Sequence, residues 1–166
     1  ALVFFLVIRR RPRSTPFPTR RSSDLFHSWL RSKLGARVYN DNQLRQGPAV
    51  LLAEDSERTF SPGLWLCAWL FTSNGFPVEV LEQPVSGPQL LSAFSTFKPR
   101  AVLLHLGPRI DDKALLRTLQ GVPGPKLLGG NMVALHEASL KQAQLPELFL
   151  FDTPQAALRL LQAHDR

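Results

Sequence analysis

The chain has 166 residues, and its 44% hydrophobic and 20% charged content is typical of a soluble globular protein. No run approaches the roughly 20 apolar residues that cross a bilayer. The single cysteine excludes a disulfide framework. We therefore expect a cytoplasmic protein without membrane partners.

Most of the net charge of +7 lies in residues 1–25, where six arginines and one aspartate follow the apolar stretch ALVFFLVI. A secretory signal has the opposite order, with its positive charges before the apolar core. Clustered arginines could neutralise phosphates. Without interleaved aromatic or amide residues, such an arm would bind nucleic acid only non-specifically.

A fourth interpretation of this segment is more specific. TRRSSDL (19–25) is the translation of a sequencing-library adapter block, and IRRRPRST (8–15) differs from the translation of a second block only at Arg11. We interpret residues 1–25 as an adapter-derived, disordered artefact and exclude them from functional reasoning.

Residues 26–47 predict one amphipathic helix, with apolar residues at helical spacing from Phe26 to Val38 and a stop at Gly47. No partner for this helix lies within its own segment. We expect it to be the last helix of a truncated helical bundle.

Residues 48–166 alternate between short apolar runs and helical patterns. The predicted strands are 49–53, 77–82, 101–106, 126–130 and 148–151. The predicted helices are 61–75, 86–97, 111–121, 132–143 and 153–164. This alternation implies right-handed crossovers and a parallel sheet covered on both faces. We predict a flavodoxin-like, doubly wound five-stranded α/β domain, with any ligand at the carboxyl ends of its strands.

An acidic group follows the first strand, at Glu54, Asp55 and Glu57. It could hold magnesium and superficially resembles a phosphoacceptor receiver domain. A receiver also needs an aspartate at the end of the third strand, where this chain has His105. We interpret the acidic group as a solvated loop.

Two further features stand at strand ends. His105 could act as a ligand or base, or as a partly buried structural residue. The Gly129-Gly130 pair would let a ligand approach closely, but it also serves as a strand-to-helix turn. We find no nucleophile–base pair, metal-ligand cluster or phosphate loop, and predict no catalytic residue, no metal site and no enzyme.

Other conspicuous side chains have structural interpretations. Cys67 lies in an apolar helical pattern and is predicted to be a buried residue. Trp65 and Trp69 are predicted to be core or dimer-interface residues, with core packing preferred. His136 and His164 are predicted to lie on the surface.

Residues 48–166 resemble the cobalamin-binding-like C-terminal domain of MerR-family transcription regulators, most of all the bacterial branch that activates curli and biofilm genes. The likeness is carried by GLWL (63–66), WL (69–70), GFPVEVL (75–81) and the pair Gly129-Gly130. It implies a regulator whose winged helix-turn-helix and helical bundle precede this domain, so that DNA is bound through an upstream part.

The resemblance also bears on the cofactor. Cobalamin-binding members carry Asp-x-His-x-x-Gly after the first strand; aligned on Gly63, the Asp and His positions are Arg58 and Phe60. Phenylalanine cannot ligate cobalt, and a second motif, Ser-x-Leu, keeps only its Leu106. We expect no bound cobalamin; if a ligand is retained, Gly129, Gly130 and His105 would hold it.

The leading hypothesis is a homo-oligomeric effector domain of a MerR-like regulator. The alternatives are a domain that senses cobalamin or another small molecule, and a degenerate receiver.

Overall fold

A computed structural model describes residues 20–55, 61–107, 110–130 and 132–164. The strands are β1 Val50–Asp55, β2 Val78–Val80, β3 Ala101–Leu106, β4 Lys126–Gly129 and β5 Leu148–Phe151. The helices are α1 Arg20–Gln43, α2 Pro62–Ser73, α3 Gly87–Phe97, α4 Asp112–Gln120, α5 Val133–Gln142 and α6 Pro154–Ala163.

All five strands form one parallel sheet in the order β2-β1-β3-β4-β5. This order and the alternation of strands with helices confirm the predicted flavodoxin-like α/β fold. Parallel neighbours need crossover connections, and the helices between successive strands supply them.

The strands are continuous apolar runs because both faces of the sheet are covered. Val50 and Leu52 of β1 point to the face covered by α2 and α6, whereas Leu51 and Ala53 point to the face covered by α3, α4 and α5. All four are fully buried. The two faces bury separate clusters of apolar side chains, and each cluster helps to exclude water from the strand hydrogen bonds.

Local sequence signals define several helix ends. Ser61 caps α2 by accepting a hydrogen bond from Leu64 N, and Gly75 follows that helix with φ of +96°. Asp111 caps α4 by accepting from Lys113 N and Ala114 N, both at 3.1 Å. These side chains satisfy backbone N–H groups that a helix start leaves without partners.

The first helix begins at Arg20, six residues before the predicted helix, and ends at Gln43. Residues 20–25 contain no proline to stop it, and the nearest upstream one is Pro18. The predicted disorder is therefore wrong for residues 20–25, which are helical. Residues 1–19 lie outside the described residues, and the adapter origin stays a prediction.

The C-terminal half of α1 packs along α2 and the sheet edge. Gly35 lies against the ring of Trp65, and Val38 is buried in the core beneath α2. The Asn42 side chain donates to Val78 O and accepts from Val78 N, both at 2.9 Å. These contacts join α1 to the α/β domain. Within the described ranges, no helix has the length and apolar character needed to cross a membrane.

Candidate functional site

The structure brings His105, Gly129 and Gly130 together at the carboxyl edge of the sheet. His105 of β3 is in register with Gly129 of β4, and Gly130 follows directly. On the other side, His105 is in register with Glu54 of β1, which is also buried. Three of the residues singled out from sequence are therefore neighbours, although they lie up to 25 positions apart.

The His105 ring lies between two glycine backbones. A Cβ atom built on Gly63 would lie 2.5 Å from His105 Nε2, and one built on Gly130 would lie 2.4 Å from the same nitrogen. Both distances are far below van der Waals contact, so only glycine leaves room for the ring at either position. Gly130 also has a φ of +101°, which favours glycine independently.

Ser61 holds the other side of the ring. Its Oγ lies 3.2 Å from His105 Nδ1 and also accepts the capping hydrogen bond from Leu64 N at 3.4 Å. Ser61 and His105 are only 5% and 9% exposed. This geometry anchors the start of α2 to the end of β3, and it supports the structural interpretation of His105.

Gly129 has a different packing role. A Cβ atom at this position would lie 1.9 Å from Phe151 O, a backbone atom that cannot swing aside. The Gly130 N–H donates to the same oxygen at 3.0 Å. The glycine pair therefore lets the ends of β4 and β5 approach each other closely, and its outer member supports the His105 ring.

The loop after β1 carries the remaining motif positions. Glu57, Arg58 and Phe60 lie outside the described residues, so the aligned cobalt-ligand position has no structural description. The prediction of a solvated acidic loop is wrong for Glu54, which is buried in β1, and Asp55 is the last residue of the same strand. Among the described residues, no three His, Cys, Asp or Glu side chains are grouped so that they could hold a metal ion.

The surface prediction for His136 is wrong. Its side chain is buried, with Nδ1 2.8 Å from Asp112 Oδ1 and Nε2 3.2 Å from Gly107 O. Both ring nitrogens are thus engaged, and the ring ties α5 to the loop between β3 and α4. An aspartate paired with a histidine is typical of general bases, but here the second nitrogen faces a backbone carbonyl rather than open space.

The predictions for the other side chains divide. Cys67 is buried as predicted, and this burial raises the pKa of its thiol to about 12. Trp65 is a core residue as predicted. The preferred core placement is wrong for Trp69, because 37% of its surface is exposed. His164 is exposed as predicted, with its ring 4.1 Å from that of Phe149.

These observations define the class of the domain: a doubly wound, flavodoxin-like sheet with a small polar cluster at its carboxyl edge. Comparison of the chain with protein-family models and with curated protein sequences finds no match.

Proposed function

We propose that this chain is the effector and oligomerisation domain of a MerR-like transcription regulator. In this proposal the domain is cytoplasmic and non-enzymatic, and it binds DNA through a part outside this chain. It works without bound cobalamin. The observation that carries the proposal is the exposed aromatic surface formed by Phe26 and Trp29 near the start of α1.

This surface contrasts with the C-terminal half of α1, which packs on α2. Phe26 and Trp29 are each 56% exposed, with their rings stacked at 6.1 Å. Exposed apolar side chains that lie next to each other are typical of a protein–protein contact. Covering two half-exposed aromatic side chains is worth about 2 kcal/mol, which favours a partner helix.

The second support concerns the cofactor. In the resembled family the glycine pair faces the ligand, whereas here Gly130 and Gly63 face the His105 ring. A cobalamin bound against these glycines would have to displace the buried His105 side chain, which is hydrogen-bonded to Ser61. Loss of that packing opposes binding, and this agrees with Phe60 at the aligned cobalt-ligand position.

Oligomerisation is tested by light scattering of the full chain after size exclusion. We expect a mass above that of one chain, and the double substitution Phe26→Ser with Trp29→Ser should return it to that of a monomer. Leu135→Ser is the matched control, since Leu135 is 67% exposed on α5. A monomeric wild type would refute the oligomerisation part.

The regulator assignment is tested on the source DNA. Amplification across the codons for Leu25 and Phe26 should replace the adapter-like codons with an in-frame helix-turn-helix upstream. If residues 1–25 are encoded there, the basic arm is real and the regulator assignment loses its missing DNA-binding part.

Loss of the cofactor has a separate test. The protein is mixed with hydroxocobalamin or adenosylcobalamin, desalted and examined by visible spectroscopy. We expect no retained cobalamin. A stoichiometric, shifted spectrum would overturn this part and favour a cobalamin sensor.

A further inference from the structure

A second concave site lies on the opposite face of the sheet from the His105 ring, between the first turns of α3 and α4. We call it the α3–α4 groove; its volume is about 140 Å³. Its floor is apolar, and its rim is polar. The floor is formed by Leu90, Leu104 and Leu115, and the rim by Ser86, Asp111 and Thr118.

The position of the groove is the one where doubly wound sheets bind ligands. The chain leaves β1 toward β2 on one side and leaves β3 toward β4 on the other, so the strand order reverses between β1 and β3. Leu104 belongs to β3, and Val85 N donates to Glu54 O at the end of β1. The groove therefore opens beside this switch point.

The two hydroxyl groups of the rim already make hydrogen bonds within the protein. Ser86 Oγ donates its proton to Gln89 Oε1 at 2.9 Å, and Thr118 Oγ1 donates its proton to Ala114 O at 3.1 Å. Each hydroxyl has only one proton, so neither oxygen can donate to a ligand while these bonds are kept.

Asp111 adds charge to this acceptor set. Its Oδ1 accepts two backbone hydrogen bonds at the start of α4, and within the described ranges no donor reaches its Oδ2. The positive end of α4 is balanced by Asp111 and Asp112 together. The rim thus favours a cationic donor and disfavours an anion.

The size of the groove sets the rest of the ligand. A cavity of about 150 Å³ holds one benzene ring. We propose that the α3–α4 groove binds a small primary ammonium compound with a compact apolar body of about six or seven carbon atoms. The ammonium contacts the Asp111 carboxylate, and the apolar body lies on the three leucines. This binding does not depend on the regulatory role proposed above.

The test uses the full chain and benzylamine as the probe, followed through the methyl resonances of the protein by NMR. A ligand of this size reaches only high micromolar to millimolar affinity. We expect saturable shifts at Leu90, Leu104 and Leu115, with benzyl alcohol weaker and benzoate at least tenfold weaker. Equal affinity for benzylamine and benzoate would overturn the proposal.

Two substitutions locate the binding. Asp111→Asn keeps a good helix cap but removes the charge. The affinity for benzylamine should therefore fall about tenfold, while the affinity for benzyl alcohol stays unchanged. Asp152→Asn is the matched control, an exposed aspartate just before α6, and should change neither. Ala114→Leu places a larger side chain at the groove and should abolish the shifts; wild-type binding by this variant would show that the probe sits elsewhere.

Discussion

The contact between Gly63 and the His105 ring makes a quantitative prediction for Gly63→Ala. The added methyl group would start 2.5 Å from Nε2, about 1 Å inside normal contact, and overpacking of this kind costs about 1–3 kcal/mol. Without the clash, the same change would stabilise a helical position by up to about 1 kcal/mol. We therefore expect a net loss of about 1–2 kcal/mol, which shifts a urea midpoint by roughly 0.5–1 M.

A double-mutant cycle with His105→Ala isolates this contact. His105→Ala alone is destabilising because it leaves a cavity and removes the contact with Ser61. In that background the clash is gone, so Gly63→Ala should become neutral or stabilising, with a coupling energy of about 1–3 kcal/mol. Unfolding in urea followed by circular dichroism measures all four variants.

The control is Gly35→Ala, also in a helix. Its Cβ would lie at an ordinary 3.6 Å from the Trp65 ring, so it should have the same small effect in both backgrounds. An equal loss for Gly63→Ala with and without His105 would refute the ring placement.

Three further predictions concern buried polar and sulfur groups. Burial lowers the pKa of Lys126 below its ordinary 10.5, an effect that Glu147 opposes. The unfolded chain therefore binds more protons between the lowered pKa and 10.5, so stability relative to Lys126→Met should rise with pH across that window, as measured by urea unfolding. A flat difference would contradict this burial effect. Cys67, with its pKa raised to about 12, should resist a thiol reagent in the native state and react fully in urea; fast native labelling would show that the thiol is accessible. His136→Ala leaves the Asp112 carboxylate without this partner and should destabilise by about 2 kcal/mol, as measured by thermal unfolding. An unchanged midpoint would mean that His136 does not tie α5 to its neighbours.

Much of the fold could be predicted because the strands are short, continuous apolar runs in the sequence. AVLLHL is buried at every position of β3, and a short run of this kind between turn residues is typical of a strand covered on both faces. The starts of α2 and α4 could be predicted for a similar reason. Ser61 and Asp111 are short polar residues placed before apolar helical patterns, where their side chains accept from the first N–H groups of the helix.

Faces of helices were harder to predict where the pattern lacks contrast. The segment LWLCAWLF of α2 is apolar almost all round, so periodicity could not separate buried Trp65 from half-exposed Trp69. The burial of Phe26 and Trp29 in α1 was equally hard to predict, because both have the spacing of core positions until the packing of the helix is known.

The site required the tertiary structure. Sequence placed His105 and the glycine pair at strand ends that share one edge, which is why their proximity could be anticipated. That the ring packs onto Gly63 depends on how α2 leaves β1, and no local signal encodes that distance. The burial of His136 had one hint in the sequence. Asp112, in the first turn of α4, and His136, in the first half of α5, both lie near the carboxyl edge of the sheet, where they can pair.

The contact of Asn42 with Val78 has a consequence for how the protein behaves in concentrated solution. β2 is an edge strand, and an exposed edge is a template on which another chain can add a strand and start aggregation. The amide of Asn42 pairs with both outward backbone groups of Val78 as a neighbouring strand would. The first helix thus shields the middle of this short edge with a single side chain, and a second molecule that approaches there meets hydrogen bonds already made.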